Sequence, residues 1–260
     1  DSTTTNAKYY ERMDVTNTQL VRQVIQDYHI TTVYHLASLL SGTSEKQALF
    51  AWKLNVEPLI NFCEMAKEGL INKIFWPSSI AVFGKGIPKE NVAQEVVLNP
   101  STVYGISKLA GEKWCEYYFE KYGVDVRSIR YPGLISWKTP AGGGTTDYAV
   151  EIFYDAVEKG SYTSFISENT AMPMLYMEDA INATLQLMEA PKENITVRTS
   201  YNLGGMSFTP AELAAEIKKE IPGFTIDYKP DFRQAIADSW PASIDDSIAK
   251  QDWGLNYEFG

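Results

Sequence analysis

Tyr104 and Lys108 stand four positions apart in the stretch STVYGISKLAGEKW. On a helix that spacing sends both side chains from one face about one turn apart, so an ammonium lies beside a phenol. A tyrosine is a poor base at neutral pH while its pKa stays near ~10, and lowering it to about 7 takes roughly 4 kcal/mol of preferential phenolate stabilisation. A cation at ~4 Å and an effective dielectric of about 20 supplies something of that order. The pair can make a general base. The same spacing fits amphipathic packing with a solvated lysine, because Tyr-x-x-x-Lys arises often by chance. A second polar group sits upstream, where Ser78 and Ser79 close the apolar run KIFWPSS and precede the small-residue turn IAVFG.

These residues need elements to position them. KIFWPSS, TTVYHLASL and VDVRSIRYPGLI read as short, nearly continuous apolar strands separated by helix-length segments, the rhythm of a parallel sheet buried on both faces. The carboxyl ends of such strands are where open α/β sheets bind ligands, which puts Ser79 at the right edge. Three helices are legible between them. One opens at Thr16 or Asn17, one spans Gln47 to Gly69, and the third takes Asn99 as cap and Pro100 as its first residue and stops at Gly123. Beyond Ser136 the pattern loosens into the Gly-rich loop KTPAGGGTTDY and a helix from about Ala149 to Lys159. Short segments near Tyr162 to Ser167 and Met172 to Met177 precede a capped helix at Thr209 to Glu220. This predicts a doubly wound parallel α/β protein with residues 1–135 as the part that carries most of the sheet. Residues 136–260 form mainly a small lobe, with segments returning to the sheet.

Composition narrows the function classes. The chain has 260 residues, 45% of them hydrophobic, enough for a substantial core. A formal charge of −10 disfavours nucleic acid, whose affinity comes largely from Lys and Arg displacing counterions. No apolar run is long enough to span a membrane, and the first ten residues lack the basic and apolar regions of a secretory leader. Two cysteines, Cys63 and Cys115, and two histidines, His29 and His35, are too few and too scattered for a structural zinc site. A reducing, cytoplasmic setting and metal-free chemistry are expected, with a mitochondrial one if a transit peptide precedes the chain. His35 reads as a hydrogen-bonded structural residue, and Arg130 as paired internally or snorkelling.

Taken together, VYHLASL, FWPSSIAVFG, PSTVYGISKLAGE and RYPGLIS resemble the extended short-chain dehydrogenase/reductase family over nearly the whole chain. Within it, HLASLLSG, RYPGLISWKTPAGGGTTDYAVEIFYDAV and ADSWPASIDDS look most like the L-threonine 3-dehydrogenase branch. The resemblance implies a Rossmann-type sheet and NAD-dependent oxidation of the threonine 3-hydroxyl to 2-amino-3-oxobutanoate. It implies Tyr104 as base, Ser79 orienting the substrate oxygen, and Lys108 lowering the tyrosine pKa and holding the nicotinamide ribose. Cofactor contacts are implied for Asp14, Val15, Leu36, Ala37, Asn55, Ser78, Tyr131, Pro132 and Leu134, besides Tyr104 and Lys108. Substrate contacts are implied for Ser41, Thr145, Thr146, Asp147 and Trp240, besides Ser79 and Tyr104. Asp147 can equally cap the next helix, and Trp240 can equally be lobe packing.

The resemblance also calls for a strand, a Gly-rich turn and a helix ahead of Asp14, and a last helix after NYEFG. Neither is in the sequence, so a fragment of a longer protein is expected. The acidic residue that separates NAD from NADP would lie in or before the opening segment, with Asp1 a candidate. A nucleotide-sugar epimerase or reductase of the same family would use the same Tyr and Lys but needs cations for a diphosphate, for which Lys218, Lys219, Lys229 and Arg233 are available. A nucleotide-sugar dehydratase would carry acids where Ile80 and Ala81 stand. A non-catalytic dinucleotide sensor would not need the full Ser, Tyr and Lys set. A homodimer through a four-helix contact is expected, from apolar residues Leu59, Phe62, Trp114, Tyr118 and Phe119 on the second and third helices.

Overall fold

Alternate residues of KIFWPSS face opposite layers, and both layers are closed. Ile74 and Trp76 pack with Val21, Leu59, Phe62, Cys63 and Tyr118 on one side. Phe75 packs with Ile129, Ala183, Leu187, Tyr201 and Trp253 on the other. This double burial explains why the run reads as continuously apolar rather than alternating. The computed structural model describes residues 7–259; Asp1 therefore lies outside the described residues.

In chain order the first half contains α1 (Thr18–Asp27), β1 (Thr32–Tyr34), α2 (Ser41–Lys46), α3 (Ala48–Asn55), α4 (Glu57–Lys67), β2 (Lys73–Ser79), α5 (Val103–Tyr122) and β3 (Val126–Tyr131). There follow β4 (Gly133–Ile135), α6 (Tyr148–Lys159), β5 (Ser161–Ser164), β6 (Met172–Tyr176), α7 (Met177–Glu189) and β7 (Tyr201–Asn202). The last elements are β8 (Met206–Phe208), α8 (Pro210–Glu220), β9 (Thr225–Tyr228), α9 (Arg233–Ala237) and α10 (Ser247–Trp253). Strands β1, β2, β3 and β7 form one all-parallel sheet in that order. The second half thus returns a strand to the sheet. Its remaining strands pair separately, as β4-β6-β8 and β5-β9. A third core joins Ile80 to Phe83 with α6, α8 and Trp240, so the turn after β2 is anchored in the C-terminal half. Among the described residues no helix is long and apolar enough to cross a membrane.

Several sequence expectations shift. Asn17 does cap α1, accepting from Leu20 N at 3.2 Å. The helix predicted from Gln47 to Gly69 is two, α3 and α4, broken at Val56; Pro58 in the first turn of α4 has no N–H to bond back to the preceding turn. The long helix begins at Val103 rather than Pro100. Thr102 is the cap, its Oγ1 accepting from Gly105 N at 3.0 Å, because Asn99 is engaged in a parallel bridge to Gly84. VDVRSIRYPGLI is not one strand: Pro132 separates β3 of the large sheet from β4 of another. Of the residues expected to form an outward apolar surface, Leu59, Phe62 and Tyr118 are core, and only Trp114 is exposed. The outward apolar side chains on these helices are instead Leu49, Phe50, Trp52, Ile106, Tyr117 and Tyr122, with Trp114.

Helix α5 lies close on β2 because two of its positions carry no side chain. A Cβ at Gly105 would stand 2.3 Å from Ala81 O, and one at Gly111 only 2.2 Å from the Trp76 ring. Alanine gains about 1 kcal/mol over glycine in a helix, whereas overpacking a closed core costs roughly 1–3 kcal/mol. Gly111→Ala should therefore lower the stability measured by urea unfolding despite the better helix former. Stability equal to or above wild type would show that Trp76 does not hold the helix at this distance.

Candidate functional site

The end of β2 and the first half of α5 meet at a cavity of about 580 Å³ outside the carboxyl ends of β1, β2 and β3. Ser79 caps the turn after β2 by accepting from Ala81 N at 3.2 Å, which leaves its hydroxyl beside the Tyr104 phenol. Lys108, fully buried, donates from Nζ to Pro77 O at 2.7 Å, lies 4.6 Å from the centre of the Trp76 ring, and is 5.4 Å from that of Tyr104. An ammonium has three N–H groups, so two remain for other acceptors.

The electrostatics differ from the sequence expectation in one respect. Desolvation pushes the Tyr104 phenol up to about 12, against a smaller lowering from hydrogen bonding with Ser79. Burial brings the Lys108 ammonium down to about 7, opposed by Cys115 and Glu112. The lysine points its proton donors at a carbonyl and an indole face instead of making a contact short enough to overcome burial of the phenol. His35 is held near 4 by burial and by the Lys108 charge, so its imidazole is neutral. Among the described residues its buried Nε2 finds no hydrogen-bond partner, where the sequence reading expected a hydrogen-bonded ring.

Most of the expected site residues share the cavity. Ser78, Ser79, Tyr104 and Lys108 line one wall; Leu36, Tyr131, Pro132 and Leu134 line another. Ser41 at the start of α2, Thr145, Thr146 and Asp147 in the segment before α6, and Trp240 in the C-terminal half complete the lining. Ser41 and Thr145 are buried and share a hydrogen bond at 3.2 Å. Asp147 does not cap α6 with its side chain; its Oδ2 accepts from Gly143 N at 2.6 Å and Gly144 N at 2.7 Å, folding the Gly-rich loop over the cavity. Trp240 is buried, and among the described residues its indole N–H has no partner.

Four expected cofactor residues do not line it. Asp14 is exposed, and its carboxylate bonds Thr16 N and Oγ1 at the start of α1. Val15 packs on the α1–α4 core, and Ala37 is exposed. Asn55 is buried behind the wall, where its Oδ1 accepts from Ser38 Oγ at 3.0 Å and Leu39 N at 2.8 Å, bracing the segment that carries Leu40 and Ser41. The sequence reading missed Tyr34 and a whole wall from α7, including Met177, Ala180, Ile181, Thr184 and Leu185. Ile181 and Leu185 are half-exposed apolar residues on one helical face, and that 3.6-residue pattern was the available signal. Among the described residues no cluster of three His, Cys, Asp or Glu side chains is placed to hold a metal.

Comparison with known proteins places the fold. Residues 1–204 match the NAD dependent epimerase/dehydratase family. An uncharacterized epimerase/dehydratase of Staphylococcus haemolyticus is 49% identical over 251 residues, covering 96% of this chain and 79% of the relative. The GalE-like L-threonine dehydrogenase of Cupriavidus necator in its holo form superposes with a TM-score of 0.94 at 54% identity, covering 96% of this chain and 81% of that one. The L-threonine dehydrogenase of Clostridium difficile superposes with a TM-score of 0.95 at 46% identity, covering 98% and 80%. A UDP-glucose 4-epimerase of Thermotoga maritima, 21% identical with a TM-score of 0.83, shares the fold.

If Tyr104 is the proton acceptor, Tyr104→Phe, which keeps the ring, should lower turnover by at least about a hundredfold, the low end for positioned proton transfer. If Lys108 acts on that base, Lys108→Met removes a positive charge that favours phenolate. The phenol pKa then rises, and the limb of the pH–rate profile on which the base form appears should move to higher pH by about one unit or more. An unmoved limb would show that the two side chains are not electrically coupled during turnover.

Proposed function

Since this chain belongs to the NAD-dependent epimerase/dehydratase family, we propose that it oxidises the 3-hydroxyl of L-threonine to 2-amino-3-oxobutanoate. The observation that carries this reading is the convergence of Ser79, Tyr104 and Lys108 on one cavity that the Thr145, Thr146 and Asp147 loop closes from the opposite side. The cofactor is NAD. Its fit is supported by the buried Lys108, whose two remaining N–H groups suit ribose hydroxyls, and by the apolar Pro132 and Leu134 wall, which suits a nicotinamide face. When bound, NAD supplies the hydride acceptor.

The residues of the chain do the rest. Ser79 donates a hydrogen bond to the substrate oxygen and fixes its distance from the phenol. Tyr104 takes the hydroxyl proton, and Lys108 stabilises the phenolate as it forms. Thr145 and Thr146 hydroxyls and the loop N–H groups meet the substrate carboxylate, while Asp147 meets its ammonium. Residues 1–135 serve the cofactor, and 136–260 serve mainly the substrate. The positions after Ser79 support this over a dehydratase, since Ile80 and Ala81 are buried in the apolar core and offer no acid. Cys63 and Cys115, free thiols buried in one core, suit a reducing cytoplasm.

Loss of the threonine methyl in L-serine should cost about 1–3 kcal/mol of transition-state binding. Replacing the ammonium with hydrogen, as in 3-hydroxybutyrate, should cost more, because an acceptor facing the cavity loses its partner. Steady-state NADH formation should therefore rank kcat/KM as L-threonine, then L-serine, then 3-hydroxybutyrate, with UDP-galactose neither converted nor inhibitory. Epimerisation of UDP-galactose, or preference for 3-hydroxybutyrate, would overturn the substrate assignment.

A further inference from the structure

Beyond Tyr104 and Lys108, the same stripe of α5 presents Glu112, four residues further on and completely buried. Its carboxylate accepts from Ser78 Oγ at 2.6 Å and from Arg130 in a two-pronged pair, Nε to Oε1 at 2.9 Å and Nη2 to Oε2 at 2.8 Å. Arg130 is itself tied by Nη1 to Gln94 O at 2.9 Å and Asn202 Oδ1 at 3.1 Å. Gln94 closes the set, donating to Ser200 O at 2.7 Å and accepting from Asn202 N at 2.8 Å. One carboxylate thereby connects α5 with β2, β3, β7 and the loop between β2 and α5.

We propose that Glu112 is a positioning residue for the reaction assigned above: through Ser78 it fixes the end of β2, and with it the placement of Ser79 and Pro77 against Tyr104 and Lys108. The inference rests on that reading of function.

Three consecutive residues of β2 meet three consecutive turns of α5. Ser79 meets Tyr104, Pro77 O receives the Lys108 ammonium, and Ser78 gives its proton to Glu112. Side chains of Ser78 and Ser79 leave opposite faces of the strand. Fixing the Ser78 hydroxyl on Glu112 therefore sets the rotation of the peptide that carries Ser79. A hydrogen bond to an ionised carboxylate is shorter and roughly twice as strong as a neutral one, which suits a part that must hold one geometry. A buried ion pair is by contrast a weak device for stability, since desolvating both charges offsets their attraction. Stability alone gives no reason for the pair to reach out to the residue next to Ser79.

The test uses Ser78→Ala, which deletes the link and leaves the Glu112–Arg130 pair in place, together with Glu112→Gln and the double variant. Misplacing a reacting group by about 1 Å can cost on the order of a hundredfold, so Ser78→Ala should lower kcat roughly ten- to hundredfold. KM for threonine and for NAD should stay within about twofold, with the thermal midpoint near that of wild type. In the Glu112→Gln background the same Ser78→Ala step should cost much less, because the link is already weakened. A kcat within about twofold of wild type for Ser78→Ala would overturn the inference, as would a raised KM for NAD with kcat intact, which would make Ser78 a cofactor contact instead. If Glu112→Gln does not fold, the Ser78→Ala split still decides. Wild-type turnover of threonine tests the functional reading by itself. The variant-to-wild-type ratio, read on threonine or on UDP-galactose, whichever the wild type converts, tests the role of Glu112.

Discussion

A lysine ammonium buried against the end of a β-strand is the constraint on which the rest of the site depends. Lys108 is 1% exposed, and burial has already lowered its pKa to about 7. It stays in place because Pro77 offers a carbonyl and Trp76 an indole face, both from β2, while Glu112 lies one turn along its own helix. That arrangement works in one register only of α5 on β2. Gly105 and Gly111 permit the close approach, the Trp76 ring fills the contact, and the parallel sheet fixes β2 from both edges. Tyr104 and Ser79 then face each other as a consequence of how the lysine is housed.

Much of this was legible in the sequence, and for identifiable reasons. A strand buried on both faces must be apolar throughout, so KIFW marks itself; helix ends at Asn17, Gly123 and Thr209 carry their capping residues openly. The Tyr104–Lys108 pair is visible because a helical face fixes the spacing. The misses have equally specific causes. Asn99 and Pro100 have the composition of a helix start, but a long-range bridge to Gly84 outcompetes the local preference. The α7 wall was overlooked because its cavity-facing residues, Ile181 and Leu185, resemble ordinary surface-helix composition until the opposite wall is known. Nothing in the sequence alone marks Glu112. Only the fold brings Arg130 and Ser78 to it from two strands.

The cavity separates labour between its walls. Groups able to move or hold a proton come from β2 and α5, where backbone hydrogen bonds and buried packing leave little freedom. The wall formed by Pro132, Leu134, Ile181 and Leu185 is apolar and suits a flat ring. The polar contribution opposite comes from a Gly-rich loop whose shape is kept by Asp147 accepting from Gly143 and Gly144. Rigid chemistry paired with an adaptable loop is an economical way for one scaffold to serve different hydroxyl-bearing substrates, since the loop can change while the Ser79, Tyr104 and Lys108 geometry stays the same.

The most direct measurement follows the hydrogen that leaves the substrate. L-Threonine deuterated at C3 is turned over with NAD and the intact enzyme, and the reduced cofactor is isolated and weighed by mass spectrometry. Oxidation at C3 predicts NADH carrying one deuterium, with 2-amino-3-oxobutanoate formed in equal amount. Unlabelled NADH, or no reduced cofactor at all, would contradict the assignment of this site as a threonine 3-hydroxyl dehydrogenase.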